Sequence, residues 1–189
     1  MASGLFIPES NEQIWKSIYY SIEADIRSKN EPAQSLALSL LATIMPSALS
    51  NLSDTILDLA LSSRTTPSVR KKALICLARM LKKNPNQFDV KKMVQPLSDL
   101  LDGKKSSTLS LTSGAGSLLL AIMHIVHPDQ LQEVQPKVVN MLHKLVINRE
   151  CPSNYIYYHN PNPWLQMKLY KALQLWSPAE DKHTISLIS

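Results

Sequence analysis

The chain contains very little glycine, with only four glycines and two phenylalanines among its 189 residues. Because the tight turns of β-hairpins commonly need glycine, this scarcity argues against a sheet-rich fold and favours helices. Hydrophobic residues make up 44% of the chain and charged residues 19%, a balance typical of folded proteins. The length is sufficient for a sizeable core in one or two domains.

The sequence also lacks long apolar runs. Its longest apolar segments, such as Leu118–Val126, are far shorter than a membrane span, and this one includes His124. The first eight residues show no basic start followed by an apolar stretch, so no signal peptide is predicted. Only two cysteines occur, and Cys76 lies in an apolar helical pattern typical of a buried, reduced thiol. We therefore expect a soluble, cytosolic chain.

Motifs that carry chemistry are absent or weak, and no HExxH, GxSxG or CxxC pattern occurs. His124 and His127 have a spacing that could share a metal, but no acidic or cysteine cluster supplies further ligands, so solvent-facing histidines are favoured. The small residues 113–117 lack the context of a phosphate-binding loop, which favours close approach of two helices. Cys151 and His159 lie among tyrosines that we expect to fill a groove between helices. We predict no enzyme, no cofactor and no metal.

Apolar residues recur at helical spacing along most of the chain, and the prolines lie mainly at the joints between these segments. Two prolines at 161 and 163 prevent residues 155–162 from being helical throughout. About eight or nine helices are predicted. They cover Ser10–Ser28, Pro32 to Pro46, a stretch around Leu49–Leu59, Pro67 to Asn84, Val90–Leu101, Thr108–Val126, Val134 to Leu145, Pro163 to Trp176, and a start at Ser177-Pro178.

Each predicted helix has one apolar stripe, which we expect to face the core. The first three stripes are Ile14, Ile18, Ile22 and Ile26; Leu36, Leu40, Leu41 and Ile44; and Leu49, Leu52, Ile56 and Leu59. Those of the fourth and sixth helices are Val69, Ala73, Leu74, Cys76, Leu77, Met80 and Leu81, and Leu111, Ala115, Leu118, Leu119, Ile122 and Val126. Those of the seventh and eighth are Val134, Val138, Met141, Leu142 and Leu145, and Leu165, Leu169, Ala172, Leu173 and Trp176.

The spacing of the helices predicts the architecture. Helix starts near residues 32, 67 and 108 are 35 and 41 residues apart, which is close to the period of HEAT and armadillo repeats. The predicted fold is all-α, a right-handed solenoid of antiparallel helix pairs. Residues 1–9 are interpreted as a flexible N-terminal segment or a remnant of cloning, and residues 10–189 as one α-solenoid. Terminal helices should be incompletely covered.

Five basic residues form a candidate site on the fourth helix. At 100° per residue, Lys71, Lys72, Arg79, Lys82 and Lys83 lie on an arc of roughly 120° opposite the apolar stripe. We call these five residues the basic face, which could bind an acidic partner or anionic lipid. A solvated outer surface is the alternative, and a net charge of +5 is compatible with both. Because no aromatic residues interleave these lysines, a nucleic-acid partner is not predicted.

Several motifs, in consistent order from about Ser10 to Ile188, carry a family resemblance. Within Tyr155–Trp176 the pattern reads Tyr-x-Tyr-Tyr, then Pro-x-Pro-Trp-Leu, then Lys-Leu and Leu-Gln. The stretches Asp25–Leu38 and Lys71–Met80 add an acidic–aliphatic–x–Ser–Lys–Asn element and a Lys-rich Ala–Leu–x–Cys–Leu helix. Together these resemble the trunk of the alpha-adaptins, large subunits of the plasma-membrane clathrin adaptor complex. The Pro-x-Pro-Trp-Leu element favours alpha- over gamma-adaptin, while Ser35 stands where the family usually has glycine.

The resemblance implies a non-enzymatic scaffold segment that acts in clathrin-mediated endocytosis and vesicle-mediated protein transport. It implies a second large chain, a medium chain and a small chain as partners. The complex would contact clathrin and anionic lipid peripherally, at the cytoplasmic face of plasma-membrane coated pits. The family's phosphoinositide-binding cluster and acidic-dileucine pocket involve residues that this segment does not match.

Two alternatives stay open: a stand-alone helical-repeat binding module, and the equivalent segment of a gamma-type adaptin. Charge reversal at Lys71, Lys72 and Lys82 separates the first from the scaffold, because a binding module would lose its main partner without losing its fold.

Overall fold

The computed structural model describes residues 12–44, 52–103, 108–177 and 182–188, and this part of the chain is mostly helical. None of its helices is both long and apolar enough to cross a membrane. The helices are α1 (Glu12–Arg27), α2 (Glu31–Ile44), α3 (Ser53–Leu61), α4 (Pro67–Lys83), α5 (Lys91–Asp102), α6 (Leu109–Met123), α7 (Gln135–Val146), α8 (Pro163–Leu175) and α9 (Lys182–Ile188). Two short strands, β1 (Ile156–Tyr157) and β2 (Asn160–Pro161), pair antiparallel between α7 and α8. The predicted all-α class is confirmed.

The helices form two layers. The even-numbered helices α2, α4, α6 and α8 pack side by side, each against the next, and each also contacts the odd-numbered helix that precedes it. Helices α5, α7 and α9 contact one another in sequence on the other side. This stacking of helix pairs is the solenoid arrangement expected from the spacing, because each pair buries its apolar stripe against its neighbours.

The helix boundaries follow the local chemistry of the chain. Thr66 is extended and Pro67 is the first residue of α4, a position where its missing N–H costs nothing. Gly103, with a φ of 69°, ends α5 in the left-handed conformation that glycine adopts freely. Pro96 lies inside α5. The N-terminal cap predicted at Ser10, the predicted end at Pro46 and the predicted start at Pro178 lie outside the described residues.

Helix α4 lies at the centre of the core. All seven residues of its predicted apolar stripe are buried, as are all five of the α7 stripe, so both predictions are confirmed. Helices α2, α3 and α6 surround α4. Complete burial of a side chain such as Leu74, Leu77 or Leu81 stabilises the fold by about 1.5–3 kcal/mol relative to exposure.

Two glycines let α6 approach a helix on each side. A Cβ on Gly114 would lie 3.1 Å from Leu74 Cδ1 and 3.4 Å from the Lys71 carbonyl oxygen, both on α4. A Cβ on Gly116 would lie 3.5 Å from Leu165 Cδ1 on α8, an ordinary contact distance. The small residues 113–117 therefore serve close helix packing, as the sequence indicated.

The stripe predicted for α2 is confirmed at Leu41 and was wrong at Leu36 and Leu40. Leu36 is 69% exposed and Leu40 is 40% exposed, whereas Leu38 and the small residues Ala37 and Ala42 are buried with Leu41. The alanines lie on the buried side because they allow α2 and α4 to pack closely. In α1, Ile22 and Ile26 are buried as predicted, Ile18 is partly buried, and Ile14 is exposed.

In the remaining helices, most of the stripe predictions hold. Residues of the third, sixth and eighth stripes are buried at Leu52, Ile56, Leu111, Ala115, Leu118, Leu119, Ile122, Leu165, Leu169, Ala172 and Trp176. Leu59, Val126 and Leu173 are partly buried and pack against the core. Leu49 and the side chain of Ile44 lie outside the described residues.

A tight β-hairpin leads the chain into α8. Tyr158 and His159 have φ values of 46° and 65° and form the turn between β1 and β2. Asn162 is also left-handed, with a φ of 43°, and its side-chain oxygen accepts a hydrogen bond from the Leu165 N–H at 3.4 Å. Asparagine suits this position because it tolerates the left-handed region and caps helices. The prediction that residues 155–162 are not helical throughout is confirmed.

Replacing Gly114 by valine should destabilise the fold by about 1–3 kcal/mol, because the added carbons must displace Leu74 or the α4 backbone. Replacing Gly116 by alanine is the matched control and should stabilise the fold by up to about 1 kcal/mol, because alanine favours helix and the space exists. Urea unfolding followed by far-UV circular dichroism measures both. Equal stability of Gly114→Val and the wild type would contradict the close α4–α6 contact.

Replacing Asn162 by alanine should cost about 2 kcal/mol, since both the cap and the tolerance of positive φ are lost. Asn162→Gly should cost only a few tenths of a kcal/mol, because glycine adopts this backbone conformation and is a fair N-cap. Thermal unfolding of the two variants compares them directly. If alanine and glycine behave alike, the left-handed geometry at this position is not what requires asparagine.

Candidate functional site

The structure places the basic face on the outward side of α4. Lys72, Arg79, Lys82 and Lys83 are exposed, whereas Lys71 is half-buried at the border with α6. The five residues lie on this arc because the opposite side of α4 is buried in the core. Binding of an acidic partner or anionic lipid by these residues stays a prediction.

On one side of α4 the basic face borders α2. Lys72 and Arg79 line a shallow depression of about 200 Å³ whose other walls include Leu38, Ala42 and Cys76. The Lys83 ammonium donates a hydrogen bond to the Thr43 carbonyl at 3.3 Å, near the end of α2. On this side of the basic face, cationic side chains therefore surround a small depression with partly apolar walls.

On the other side a lysine from α8 joins the basic face. The Lys168 Nζ donates hydrogen bonds to the Ser113 carbonyl oxygen at 2.9 Å and to Ser113 Oγ at 3.2 Å, so this side chain lies across α6. Burial lowers the pKa of the Lys168 ammonium, and the positive charge of Lys71 lowers it further. Lys71 and Lys168 thus flank α6 as two half-buried cations.

The helical pattern of the sequence does not connect Lys168 with the basic face. Lys71 and Lys168 are 97 residues apart in the chain, since 168 minus 71 is 97. The serines of α6 were the available signal, because a helix with small outward residues lets long side chains from its neighbours reach over it.

Charge is segregated between the helices. Helices α4, α6 and α8 together contain no aspartate or glutamate, and α4 and α8 carry eight lysines and arginines. One of these, Arg70, faces α3 and donates its Nε hydrogen to the Ala60 carbonyl at 2.9 Å. Among the described residues, the Lys and Arg ion pairs recorded join Arg27 to Glu23, Lys92 to Asp54 and Lys137 to Asp102, all on odd-numbered helices.

The aromatic residues beside α8 do not fill a groove between helices, so that prediction was wrong. Tyr158 is 80% exposed, Tyr157 is 52% exposed and Trp164 is 58% exposed. The Tyr157 ring lies 5.2 Å from the Trp164 ring and 4.6 Å from the Tyr158 ring, measured between centroids. The hairpin turn projects these rings outward because the deeper space is already filled by α8 residues such as Leu165.

The thiols have environments that suppress reactivity. Burial raises the pKa of the Cys76 thiol to about 12, and burial also raises the pKa of Cys151. Because the thiolate is the nucleophilic form, neither cysteine is activated at neutral pH.

The histidines considered as metal ligands lie at the end of α6. His127 Nδ1 is 3.1 Å from an oxygen of Asp129, and His124 is exposed. In the described ranges, no three His, Cys, Asp or Glu side chains are grouped as metal ligands would be.

The two layers of stacked helix pairs define an α-solenoid. Its charged residues of α4 and α8, apart from Arg70, lie on an outer face, where another molecule could contact them. The sequence profile of the adaptin N-terminal region matches residues 5–188, nearly the whole chain. The chain therefore belongs to the adaptin N-terminal-region family.

Similar proteins agree with this assignment. The chain is 34% identical to AP-2 complex subunit alpha-1 and to subunit alpha-2 of Arabidopsis thaliana, over 175 residues that make up 92% of the chain and 17% of each relative. It is 29% identical to AP-2 complex subunit alpha-2 of Dictyostelium discoideum, over 96% of the chain and 18% of the relative. The chain thus spans less than a fifth of the length of these relatives. The resemblance to alpha-adaptins seen in the motifs is confirmed.

Replacing Lys71 by methionine should raise the pKa of Lys168 part of the way towards its usual value. One positive neighbour is removed, while the larger effect of burial persists. NMR titration of labelled lysine side chains measures the change. Lys29→Met, an exposed substitution in the α1–α2 connection, is the control and should leave Lys168 unchanged. An unchanged Lys168 pKa in Lys71→Met would show that the two ammonium groups do not interact.

Proposed function

We propose that this chain is a trunk segment of a large adaptor subunit that serves clathrin-mediated endocytosis at the cytoplasmic face of the plasma membrane. The observation that carries the proposal is the match of residues 5–188 to the adaptin N-terminal region, together with relatives named as alpha subunits of AP-2 complexes. The proposed partners are a second large chain, a medium chain and a small chain, with clathrin and anionic lipid contacted through the complex. No nucleic-acid partner is included.

The proposed mechanism is geometric and non-enzymatic. Stacked helix pairs with continuous apolar contacts form a stiff support, because each pair is held by its neighbours on both sides. Such a support fixes the relative positions of binding sites that lie on other chains or on other parts of the subunit. The half-buried and exposed polar groups of α4, α6 and α8 are then available for contacts with those chains.

Affinity purification from native cytosol tests the proposal. The chain is tagged at its natural locus, and the co-purifying proteins are identified by mass spectrometry. We expect recovery of medium, small and second large adaptor chains of the plasma-membrane type. Recovery of the chains of another clathrin coat would instead assign a gamma-type adaptin, and recovery of none of them would refute the adaptor role.

A stand-alone binding module is the second candidate, and the cationic surface of α4 and α8 favours it. The triple variant Lys71→Glu, Lys72→Glu, Lys82→Glu separates the two functions, since these side chains lie outside the core. A scaffold should keep its adaptor chains in this variant, with an unchanged circular dichroism spectrum. Loss of the main partner with an intact fold would favour the module.

A further inference from the structure

We propose that the outward side of α4, α6 and α8 is a docking surface for an acidic segment of a protein partner, whose carboxylate lies between Lys71 and Lys168 and whose apolar side chain lies on Trp164. We call this surface the α4–α8 face; its main members are Lys71, Ser113, Trp164, Met167, Lys168 and Lys171. The inference adds a contact surface to the proposed function and does not depend on it.

Lys71 and Lys168 have no counter-charge among the described residues. An ammonium group has three N–H donors, and those of Lys168 have two recorded acceptors, both on Ser113. No carboxylate of the described residues forms an ion pair with Lys71 or Lys168, and α4, α6 and α8 contain none. Burial and the positive charge of Lys71 both lower the pKa of Lys168. A carboxylate placed between the two ammonium groups would offset these effects, because it favours the charged form of lysine.

The α4–α8 face is lower along α6 than along α4 and α8. Ser110, Ser113 and Ser117 are the small, half-buried outward residues of α6, and longer cationic side chains stand on α4 and α8. The result is a neutral strip between two cationic borders. A protein segment can enter such a strip and reach the half-buried Lys168, whereas a flat bilayer surface meets only the side chains that project furthest. This shape favours a protein partner over a membrane.

An exposed apolar area lies beside the cations of α8. Trp164 is 58% exposed and Met167 is 57% exposed on the same side of α8 as Lys171. Tryptophan and methionine are enriched at protein–protein contacts, and tryptophan often contributes much of the binding energy. An acidic segment with one large apolar side chain would match both the charge and the apolar area.

A second copy of this chain fits the surface less well. The described odd-numbered helices carry acidic residues, but lysines and arginines lie among them and pair with them at Glu23, Asp54 and Asp102. Their surface is therefore mixed in charge and does not complement the purely cationic α4–α8 face.

Carbodiimide coupling tests the inference, because this reagent joins an amine directly to a carboxylate that it touches. The tagged full-length protein is treated in native extract, and mass spectrometry locates the joined residues. We expect Lys71 or Lys168 to be coupled to an aspartate or glutamate of another protein. Without the reagent, the amount of this partner that co-purifies with the tagged protein should fall about tenfold or more in the Lys71→Glu, Lys168→Glu variant. It should also fall in Trp164→Ala.

The matched control is Lys29→Glu, Lys91→Glu, which reverses two exposed lysines outside α4, α6 and α8 and should co-purify as much of the partner as the wild type. If Lys71→Glu, Lys168→Glu does not fold, as judged by circular dichroism, the neutral pair Lys71→Gln, Lys168→Gln replaces it. Adaptor chains should stay bound in both variants, since a large-subunit assembly has contacts beyond this face.

Several outcomes would overturn the inference. One is an unchanged amount of co-purified partner in the charge-reversed variant. Another is coupling only to acidic residues of a second copy. A third is no coupling at these lysines in the wild type, together with a requirement for them in sedimentation with phosphatidylserine-containing vesicles. Coupling to an acidic protein segment with no adaptor chains recovered would support the surface and refute the proposed function. Recovery of adaptor chains without such coupling would refute the surface and support the proposed function.

Discussion

The close packing of α6 against α4 is the contact on which the rest of the structure depends. Gly114 brings the α6 backbone next to Leu74 and the Lys71 carbonyl, and α6 in turn contacts α5 and α8. The close approach of α6 to α4 therefore depends on one residue without a side chain. Helix α6 also carries Ser113, whose carbonyl oxygen and hydroxyl accept the hydrogen bonds of Lys168. A larger residue at position 114 would disturb both the core and the candidate site.

The connections between helices are held by side-chain donors that bond to distant backbone carbonyls. Gln34 Nε2 donates to the carbonyl oxygens of Ile26 and Ser28 and closes the turn between α1 and α2. Trp176 Nε1 donates to the Pro128 carbonyl at 2.9 Å, and Gln135 Nε2 donates to the Ser177 carbonyl at 3.0 Å. These last two bonds join the residues that follow α8 to the α6–α7 connection and to the first residue of α7. They satisfy backbone oxygens that would otherwise be left without partners near helix ends.

The residues that stabilise the fold lie in the core, whereas the residues proposed to bind a partner lie on the surface. Burial of apolar side chains around α4 supplies the main stabilisation, whereas exposed ion pairs contribute about 0–1 kcal/mol each. The outward residues of α4, α6 and α8 are therefore free to carry charge of one sign with little cost to the fold. The repulsion among them is moderate because most are solvated. At the half-buried Lys168, the positive charge of Lys71 contributes to a lowered pKa, after the larger effect of burial. A surface that accumulates unpaired charge in this way is suited to a partner that provides the opposite charge.

Much of the fold could be predicted because helical periodicity and helix-ending residues are local properties of a sequence. The stripes of α4 and α7 and the helix start at Pro67 depend only on residues within a few turns of one another. The orientation of α2 could not be predicted this way, since leucines occur on both its sides, and only the contact with α4 makes Ala37 and Ala42 the buried small residues.

The sequence by itself determined that the chain is a stack of amphipathic helices with a cationic arc on α4, because composition and spacing are sufficient for both. The tertiary structure decided that Lys168 stands beside Lys71 and that Tyr157, Tyr158 and Trp164 face outward. The positions of these side chains depend on which helices pack against each other and how closely. Packing between residues far apart in the sequence decides this, and local periodicity carries no information about such contacts.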